Sequence, residues 1–419
     1  MKILIYTPKI TSRIRFTFNL IFRDILLVEP EFTDKTEVFI SYERAKISYA
    51  DAPISTELFF KSSNLLFETG IDKINTDYQK LHTDFFALSF FLVSRYEEYL
   101  PHKCDEHGRF KATESIAFKN SFLQKPVVNI WANQVKDKIE KKFSSFKFSK
   151  QNYKFIPTID VDNAYAYLGK GFARTLGAYS RSLLIVNFAD VSERTKVLLG
   201  KEKDRYDVFD YLTSIHKKYD LKPIYFFLLA DYGLNDKNVP HTNKKFQSLI
   251  KSLDENADVG IHPSYHSSNN PVKMKKEILR LENILQKKVT KSRQHFLKIN
   301  LPETYRYLIT LGITDDYTMG YTSETGFRAG TCTPFYFYDL KNESQTDLKI
   351  HPFCLMEATL KYYKKTHPEN AMEQIKPIVD EVKKVNGTFY TLWHNEFLSD
   401  AKEFKGWKKV FNELIEYSV

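Results

Sequence analysis

The chain has 419 residues, of which 42% are hydrophobic and 27% are charged. These values are typical of folded proteins and exclude disordered and collagen-like chains, and the length predicts more than one domain. Lysine and arginine exceed aspartate and glutamate by ten. An excess of this kind would suit nucleic-acid binding, but the basic residues are spread over predicted helix faces. We therefore expect no specific nucleic-acid partner.

The sequence carries no clear targeting segment. The apolar run at residues 3–6 is shorter than the roughly 7–15 residues of a secretory signal, and no run approaches the ~20 apolar residues of a transmembrane helix. Three cysteines are too few for a disulfide framework and fit a reducing compartment. We expect a cytoplasmic protein, with peripheral association at the inner membrane face left open.

Residues 1–135 mix short elements of both kinds. A strand is predicted at residues 1–6, alternating hydrophobicity predicts another at 38–42, and residues 85–100 read as a helix. The lysine-rich residues 136–151 are a plausible surface connector. The prediction is a smaller mixed α/β accessory domain over 1–135, joined by a connector at 136–151 to a larger domain at 152–419.

Residues 152–419 alternate between strand-like and helix-like segments. Helices are predicted at 206–219, 246–253, 273–285 and 368–384, and strands at 154–159, 223–229, 258–262, 292–297, 312–315, 326–330, 350–356 and 388–393. About eight strands separated by helices predict a (β/α) barrel. In such barrels the chemistry lies at the carboxyl ends of the strands.

The predicted strand ends carry acids and histidines. Asp160 and Asp162 end the first strand, His262 and His266 follow the third, and His394 ends the last. Two imidazoles and one carboxylate can hold a divalent cation and leave a position open for water. A second carboxylate can serve as a base, and a further histidine can protonate a leaving group.

Four short motifs in residues ~155–400 resemble those of the polysaccharide deacetylase family, metal-dependent carbohydrate esterases of the NodB-homology type. The motifs are Thr158-Ile-Asp-Val-Asp162, His262-Pro-Ser-Tyr-His266-Ser, Arg293-Gln-His295 and Leu392-Trp-His394. The second departs from the family pattern at Pro263, and the third has His295 in place of proline. The resemblance implies amide or ester hydrolysis on a distorted (β/α) barrel.

The resemblance also implies a role for each motif residue. Asp160 is the expected base, Arg293 orients it, and His394 is the general acid. Asp162, His262 and His266 are the expected metal ligands. Zn²⁺ is the expected metal, with Co²⁺, Ni²⁺, Mn²⁺ and Fe²⁺ as alternatives.

Four further residues are predicted to meet the substrate. Tyr265 and Trp393 could stack on sugar rings or simply pack within the barrel. Arg328 could bind an anionic substrate group or pair with an acid under the barrel rim. His295 is either a partner behind the metal ligands or a structural substitute for the proline.

Two segments outside these motifs are also distinctive. Residues 84–110 resemble the extra domain of unknown function that precedes this fold in certain bacterial proteins. About forty residues separate the first barrel strand from the next helix, and residues 163–189 contain three basic residues and no acid. This insertion is either a helix that packs on the barrel, a lid, or an interfacial helix that meets a lipid-linked substrate.

The sequence as a whole predicts a hydrolase that removes an N-acetyl or O-acyl group from a sugar or glycan precursor, which could be lipid-linked. Two alternatives stay open. One is a non-catalytic glycan-binding or scaffold protein on the same barrel, and the other is an amidohydrolase of a non-sugar amide.

Overall fold

The computed structural model describes residues 1–71 and 83–419, and it shows a mixed α/β protein with two sheets. Buried apolar side chains from both sheets form one continuous core. The predicted domain boundaries at 135 and 151 stay a prediction. Within the described ranges, no helix has the length and apolar character needed to cross a bilayer.

The first sheet has four parallel strands in the order β2-β1-β3-β4. Its strands are β1 (Lys2–Tyr6), β2 (Glu29–Thr33), β3 (Lys46–Ala50) and β4 (Leu58–Lys61). The helices of this part are α1 (Ser12–Phe18), α2 (Thr36–Ser41), α3 (Phe85–Val93), α4 (Ile116–Lys119) and α5 (Val127–Lys142).

Two predictions fail in this part of the chain. The strand predicted at 38–42 is wrong, because helix α2 occupies it with Phe39 buried and its two neighbours exposed. A segment this short does not distinguish the two-residue period of a strand from the 3.6-residue period of a helix. The helix predicted at 85–100 ends early, since Arg95 adopts a left-handed conformation with φ of 55° and a 3₁₀ turn follows at Tyr96–Tyr99.

The second sheet has nine strands in the order β10-β11-β9-β8-β7-β6-β5-β13-β12. Its strands are β5 (Lys154–Val161), β6 (Ile224–Leu228), β7 (Asp258–His262), β8 (Lys291–Ser292), β9 (Asp315–Asp316), β10 (Phe335–Asp339), β11 (Ser344–Ile350), β12 (Leu355–Met356) and β13 (Thr388–His394). All neighbours pair in parallel except the β10–β11 hairpin.

Helices follow most of these strands. They are α6 (Phe172–Leu184), α7 (Phe188–Leu198), α8 (Phe209–Lys218), α9 (Lys244–Asp254), α10 (Pro271–Leu285), α11 (Glu303–Thr310), α12 (Pro368–Lys384) and α13 (Trp407–Ser418). The strand–helix alternation predicted from residue 152 onward is therefore confirmed, although the strands predicted at 292–297, 312–315 and 350–356 overlap the observed strands only at their ends. The strand predicted at 326–330 is wrong, because those residues form turns that hydrogen-bond to Leu123 and Val128.

The strand ladders of the second sheet do not close into a ring among the described residues. Its two edge strands are β10 and β12. Beyond the β9–β11 ladder, the Phe353 amide donates to the Met319 carbonyl (3.1 Å). A parallel α/β sheet is thus shown, and the predicted closed barrel stays a prediction.

A buried ion cluster joins the amino-terminal part to the second sheet. Glu98 accepts hydrogen bonds from Arg95 (2.7 Å) and Arg328 (2.7 Å), and all three side chains are buried. Burial alone would raise the pKa of Glu98, but the two guanidinium groups outweigh it and lower the pKa to about 2. Arg328 therefore pairs with an acid, which is one of the two roles predicted for it.

Glu98→Gln is expected to lower the free energy of unfolding by about 3–5 kcal/mol, because it leaves the buried Arg328 without a carboxylate. Urea titration followed by circular dichroism measures this. The difference from the wild type should be complete above about pH 4.5 and shrink as the pH falls toward 2, since Glu98 then becomes protonated in both states. The matched control Glu31→Gln breaks an exposed pair with Lys2 and should cost less than about 1 kcal/mol. Equal losses in the two variants would contradict the prediction.

Candidate metal and catalytic site

Parallel pairing brings the predicted strand ends to one edge of the second sheet. In β13 and β5, His394 lies opposite Asp160, and in β7 and β6, His262 lies opposite Leu228. Strand β8 pairs with β7 just before Arg293. Because parallel strands end on the same side, residues far apart in the sequence meet here.

Asp162, His262 and His295 form the cluster best suited to a metal ion. One ligand atom from each lies within 4.8 Å of the other two. His262 Nε2 is 3.2 Å from Asp162 Oδ1, and His295 Nε2 is 3.4 Å from Asp162 Oδ2. Two imidazole nitrogens and a carboxylate are a donor set that suits Zn²⁺.

Both histidines make a hydrogen bond through Nδ1 and direct Nε2 at Asp162. His262 Nδ1 donates to the Arg293 carbonyl oxygen at 2.5 Å, and His295 Nδ1 donates to Asp236 Oδ1 at 2.9 Å. A neutral ring that donates from Nδ1 has its lone pair on Nε2. A bound cation, or protonation of the rings, offsets the repulsion between these lone pairs and the carboxylate. Carbonyl or carboxylate partners of this kind are what metal-ligating histidines ordinarily have.

The Asp162 carboxylate fits the same interpretation. Its Oδ1 atom is buried and has no hydrogen-bond partner among the described residues. Burial would raise the pKa of Asp162, but the charges of His295 and His394 hold it well below the usual value. The Asp162 side chain is therefore anionic and short of donors, which is the state that a metal ligand needs. The cluster fits a divalent cation.

His266 lies outside this cluster, and the structure places His295 there instead. The His266 side chain is exposed and packs edge-on against Tyr265. A His-x-x-x-His pair lies side by side in a helix, whereas in an extended segment the two residues are about 13 Å apart. Here Pro263 precedes a turn in which the Ser264 amide and the Ser267 hydroxyl both bind the buried Glu277 carboxylate.

Arg293 holds the Asp160 carboxylate in the same pocket. Its guanidinium, fully buried, donates to Asp160 Oδ1 (2.9 Å), to Thr158 Oγ1 (2.6 Å) and to the Tyr317 carbonyl (2.9 Å). The second carboxylate oxygen of Asp160 lies 3.7 Å from His262 Nε2. The structure thus brings Arg293 and Asp160 together, as predicted, beside the cluster.

His394 faces the cluster from the end of β13. Its Nε2 is 3.8 Å from Asp162 Oδ2, while its Nδ1 is 2.6 Å from Glu357 Oε1. Burial would lower the pKa of His394, but the Glu357 carboxylate outweighs burial and raises the pKa to about 10. His394 is therefore oriented by Glu357 with one ring nitrogen free for the pocket.

A pocket of about 230 Å³ contains these groups. The aromatic side chains that line it are Phe296, Tyr362, Tyr363 and Phe397. Arg109 reaches it from the amino-terminal part, donating to the Phe296 carbonyl at 2.8 Å and to the Tyr363 hydroxyl at 3.2 Å. Glu396 also lines the pocket, and burial raises its pKa to about 7.

The remaining predicted substrate residues lie outside this pocket. Trp393 is fully buried on the other face of β13, packed against Trp407 and Phe411. It therefore packs inside the protein and does not contact a sugar in the pocket. Arg328 is bound to Glu98. The Tyr265 hydroxyl contacts His107 Nδ1 at 3.2 Å, and its ring packs on Phe296 at the edge of the site.

The sequence prediction missed four residues of the site: Asp236, Glu357, Glu396 and Arg109. Glu357 directly follows β12 and Glu396 lies just beyond β13, so the strand-end rule that found His394 also applies to them. Asp236 lies in the loop after β6, without a local pattern to mark it. Arg109 belongs to the Asp105–Phe110 motif, which suggested no chemistry by itself.

Comparisons with known proteins give one family match and several similar solved structures. Residues 3–144 match the model of a family of unknown function, DUF7033. A comparison with curated proteins gives no match.

Among solved structures, the chain is similar at low identity to polysaccharide deacetylases and to a CE4 family pseudoenzyme. A candidate polysaccharide deacetylase from Mycobacterium smegmatis is 13% identical with a TM-score of 0.40, covering 65% of this chain and 85% of its own. A polysaccharide deacetylase from Bacillus cereus is 12% identical with a TM-score of 0.30, covering 63% and 86%. A CE4 family pseudoenzyme from Bacillus anthracis is 12% identical with a TM-score of 0.31, covering 64% and 62%.

Alanine substitution of Asp162, His262 or His295 is expected to weaken zinc binding by more than about 100-fold, since loss of a partner behind a ligand already costs 10–100-fold. Equilibrium dialysis with metal analysis measures it. His266→Ala is the matched control and should keep stoichiometric zinc. If zinc is lost with His266→Ala and kept with His295→Ala, the cluster is not the metal site.

Proposed function

We propose that the protein is a metal-dependent hydrolase that removes an N-acetyl or other acyl group from a sugar or glycan precursor. The observation that carries the proposal is the convergence, in one pocket, of a three-ligand cluster with a separately held carboxylate and a separately held imidazole. Asp162, His262 and His295 would hold the metal. Their two nitrogens and one carboxylate favour Zn²⁺ over Mg²⁺ or Ca²⁺.

A divalent cation bound there would polarise an acyl carbonyl and lower the pKa of a coordinated water to about 7. Asp160 is placed to accept a proton from the attacking water. Arg293 occupies one oxygen of this carboxylate and leaves the other directed at the cluster. Because Arg293 is buried and bound at three points, Asp160 has little freedom to turn away.

His394 is placed to return a proton to the leaving group. Glu357 fixes the ring by accepting from Nδ1, so the proton on Nε2 is the one that faces the pocket. A protonated imidazole at this position can donate to an amine that departs from a broken amide bond. Asp160, held by Arg293, would thus accept a proton. His394, held by Glu357, would donate one.

The pocket walls suit a sugar substrate. Aromatic rings offer faces on which a pyranose can pack, and Arg109 and Glu396 provide polar groups for its hydroxyls. We also propose that the second sheet corresponds to the distorted (β/α) barrel of polysaccharide deacetylases, which is supported by its alternation of parallel strands and helices and by the acids and histidines at its strand ends.

Asp160→Asn and His394→Gln are each expected to lower kcat by about 10²–10⁴-fold, because each removes a proton-transfer group. The assay is acetate release from oligomers of N-acetylglucosamine by zinc-loaded protein, with zinc content measured in parallel. His266→Gln, a change of the same kind on an exposed ring, is the control and should keep wild-type activity.

Variants that retain zinc and hydrolyse at the wild-type rate would contradict the assigned roles. A wild-type protein that binds zinc and the oligomers but releases no acetate would instead support the non-catalytic glycan-binding alternative. Release of acetate from simple N-acetylated amines, but not from sugars, would support the non-sugar amidohydrolase.

A further inference from the structure

The insertion between β5 and α8 forms a helical hairpin, made of α6 and α7, whose fold depends on polar contacts. Asp190 accepts hydrogen bonds from Ser182 (2.6 Å), Tyr167 (2.9 Å) and Arg194 (2.9 Å), and Arg194 lies over the Tyr167 ring. None of the described residues from 172 to 199 belongs to the hydrophobic core clusters. Val197 is buried, but the large apolar side chains at the turn of the hairpin are exposed.

The turn of this hairpin, residues 183–188, is an exposed apolar tip. Leu184 is 83% exposed, Val186 68%, Phe188 64% and Ile185 63%. Val186 has φ of 57°, a conformation that β-branched residues rarely adopt. Such a contiguous group of large apolar side chains marks an interaction surface, whereas single exposed apolar residues do not.

A basic pocket of about 740 Å³ adjoins the tip. Six basic residues line it against two acids: Lys170, Arg174, Arg181, Arg194, Arg205 and Lys237. The structure pairs Arg194 with Asp190 and Arg205 with Glu193. The other four have no carboxylate within ion-pair distance in the described part of the chain.

Two of the four unpaired cations of this basic pocket, Arg174 and Lys170, are held in place by hydrogen bonds. Arg174 donates to the carbonyls of Lys237 and Asn238, both at 3.0 Å, and stacks on Tyr232. Lys170 binds the side-chain oxygen of Asn163. Burial, followed by the charge of Arg174, lowers the pKa of Lys170 to about 7, as expected for cations crowded together without an anion.

We propose that the apolar tip and the basic pocket together bind the surface of an anionic lipid bilayer. The tip would enter the boundary between headgroups and acyl chains, and the cations would meet the lipid phosphates. Apolar side chains beside unpaired lysine and arginine are the features that give interfacial helices their affinity for anionic membranes.

Other occupants of this surface are less consistent with it. A second copy of the chain, docked through the same face, would bring two sets of unpaired cations together. A nucleic acid would neutralise the cations and leave the exposed leucine, isoleucine, valine and phenylalanine side chains in water. An anionic bilayer satisfies both parts at once.

The proposed surface lies next to the candidate active site. Asn395, which follows His394, donates at 3.0 Å to the carbonyls of Asn163 and Tyr206, and both of these residues line the basic pocket. A substrate carried on a lipid would thus reach the site from the bilayer surface. Only this last step rests on the proposed function.

Sedimentation of the full-length protein with vesicles tests the proposal. Vesicles of phosphatidylcholine and phosphatidylglycerol in equal amounts should bind the protein, binding should fall as salt rises, and pure phosphatidylcholine should bind it much more weakly. The double variant Leu184→Ser/Ile185→Ser should bind at least about tenfold more weakly, and Arg181→Ala/Lys237→Ala should lose the preference for anionic vesicles. Neither readout uses enzymatic activity, so the result is independent of the proposed function.

The matched control is Val272→Ser/Leu279→Ser, which removes two exposed apolar side chains from α10 and should leave binding unchanged. Phe188→Trp provides a second measurement in case the serine variant does not fold. The fluorescence of the new tryptophan should shift to the blue when anionic vesicles are added. Absence of wild-type binding, an equal effect of the control variant, or no shift for Phe188→Trp would overturn the proposal. So would a dimer in size-exclusion chromatography that the serine variant abolishes.

Discussion

The candidate site depends most on Arg293, a buried cation whose side chain and main-chain carbonyl contact two different residues of the site. Its guanidinium holds Asp160 from β5, and its main-chain carbonyl accepts from His262 Nδ1 and so fixes which nitrogen of that ring carries a lone pair. The rings of Phe226 and Phe353 lie beside the guanidinium, where water has no access to screen its charge. One residue thereby sets both the charge beside the cluster and the orientation of one of its ligands.

The sequence predicts the parts of this arrangement that follow from parallel pairing. Asp160, Asp162, His262, Arg293 and His394 each lie at or just beyond a strand end, and strands in a parallel sheet deliver such residues to one edge. The predicted contact of Trp393 with the substrate overlooks period-two alternation, because Trp393 has the opposite parity to His394 and so lies on the other face of β13. Strands β5, β6, β7 and β13 and helices α8, α9, α10 and α12 are predictable because they are long enough for their period to be clear.

The rest depends on contacts that no local pattern records. The choice between His266 and His295 is decided by the turn after Pro263, which the distant Glu277 carboxylate stabilises through Ser264 and Ser267. The second partner of His295, Asp236, comes from another loop. The β10–β11 hairpin and the turns at 326–330 likewise depend on neighbours that are remote in sequence.

The position of Arg109 has a consequence for how this protein changes over evolutionary time. This side chain belongs to the amino-terminal part, yet it is bound to the carbonyl of Phe296 and the hydroxyl of Tyr363 in the wall of the pocket. A recombination that joined the carboxyl-terminal part of the chain to a foreign amino-terminal part would replace part of that wall. The two parts are therefore expected to be inherited together, and the shape of the pocket can change by mutation in a segment that carries none of the acids and histidines of the candidate site.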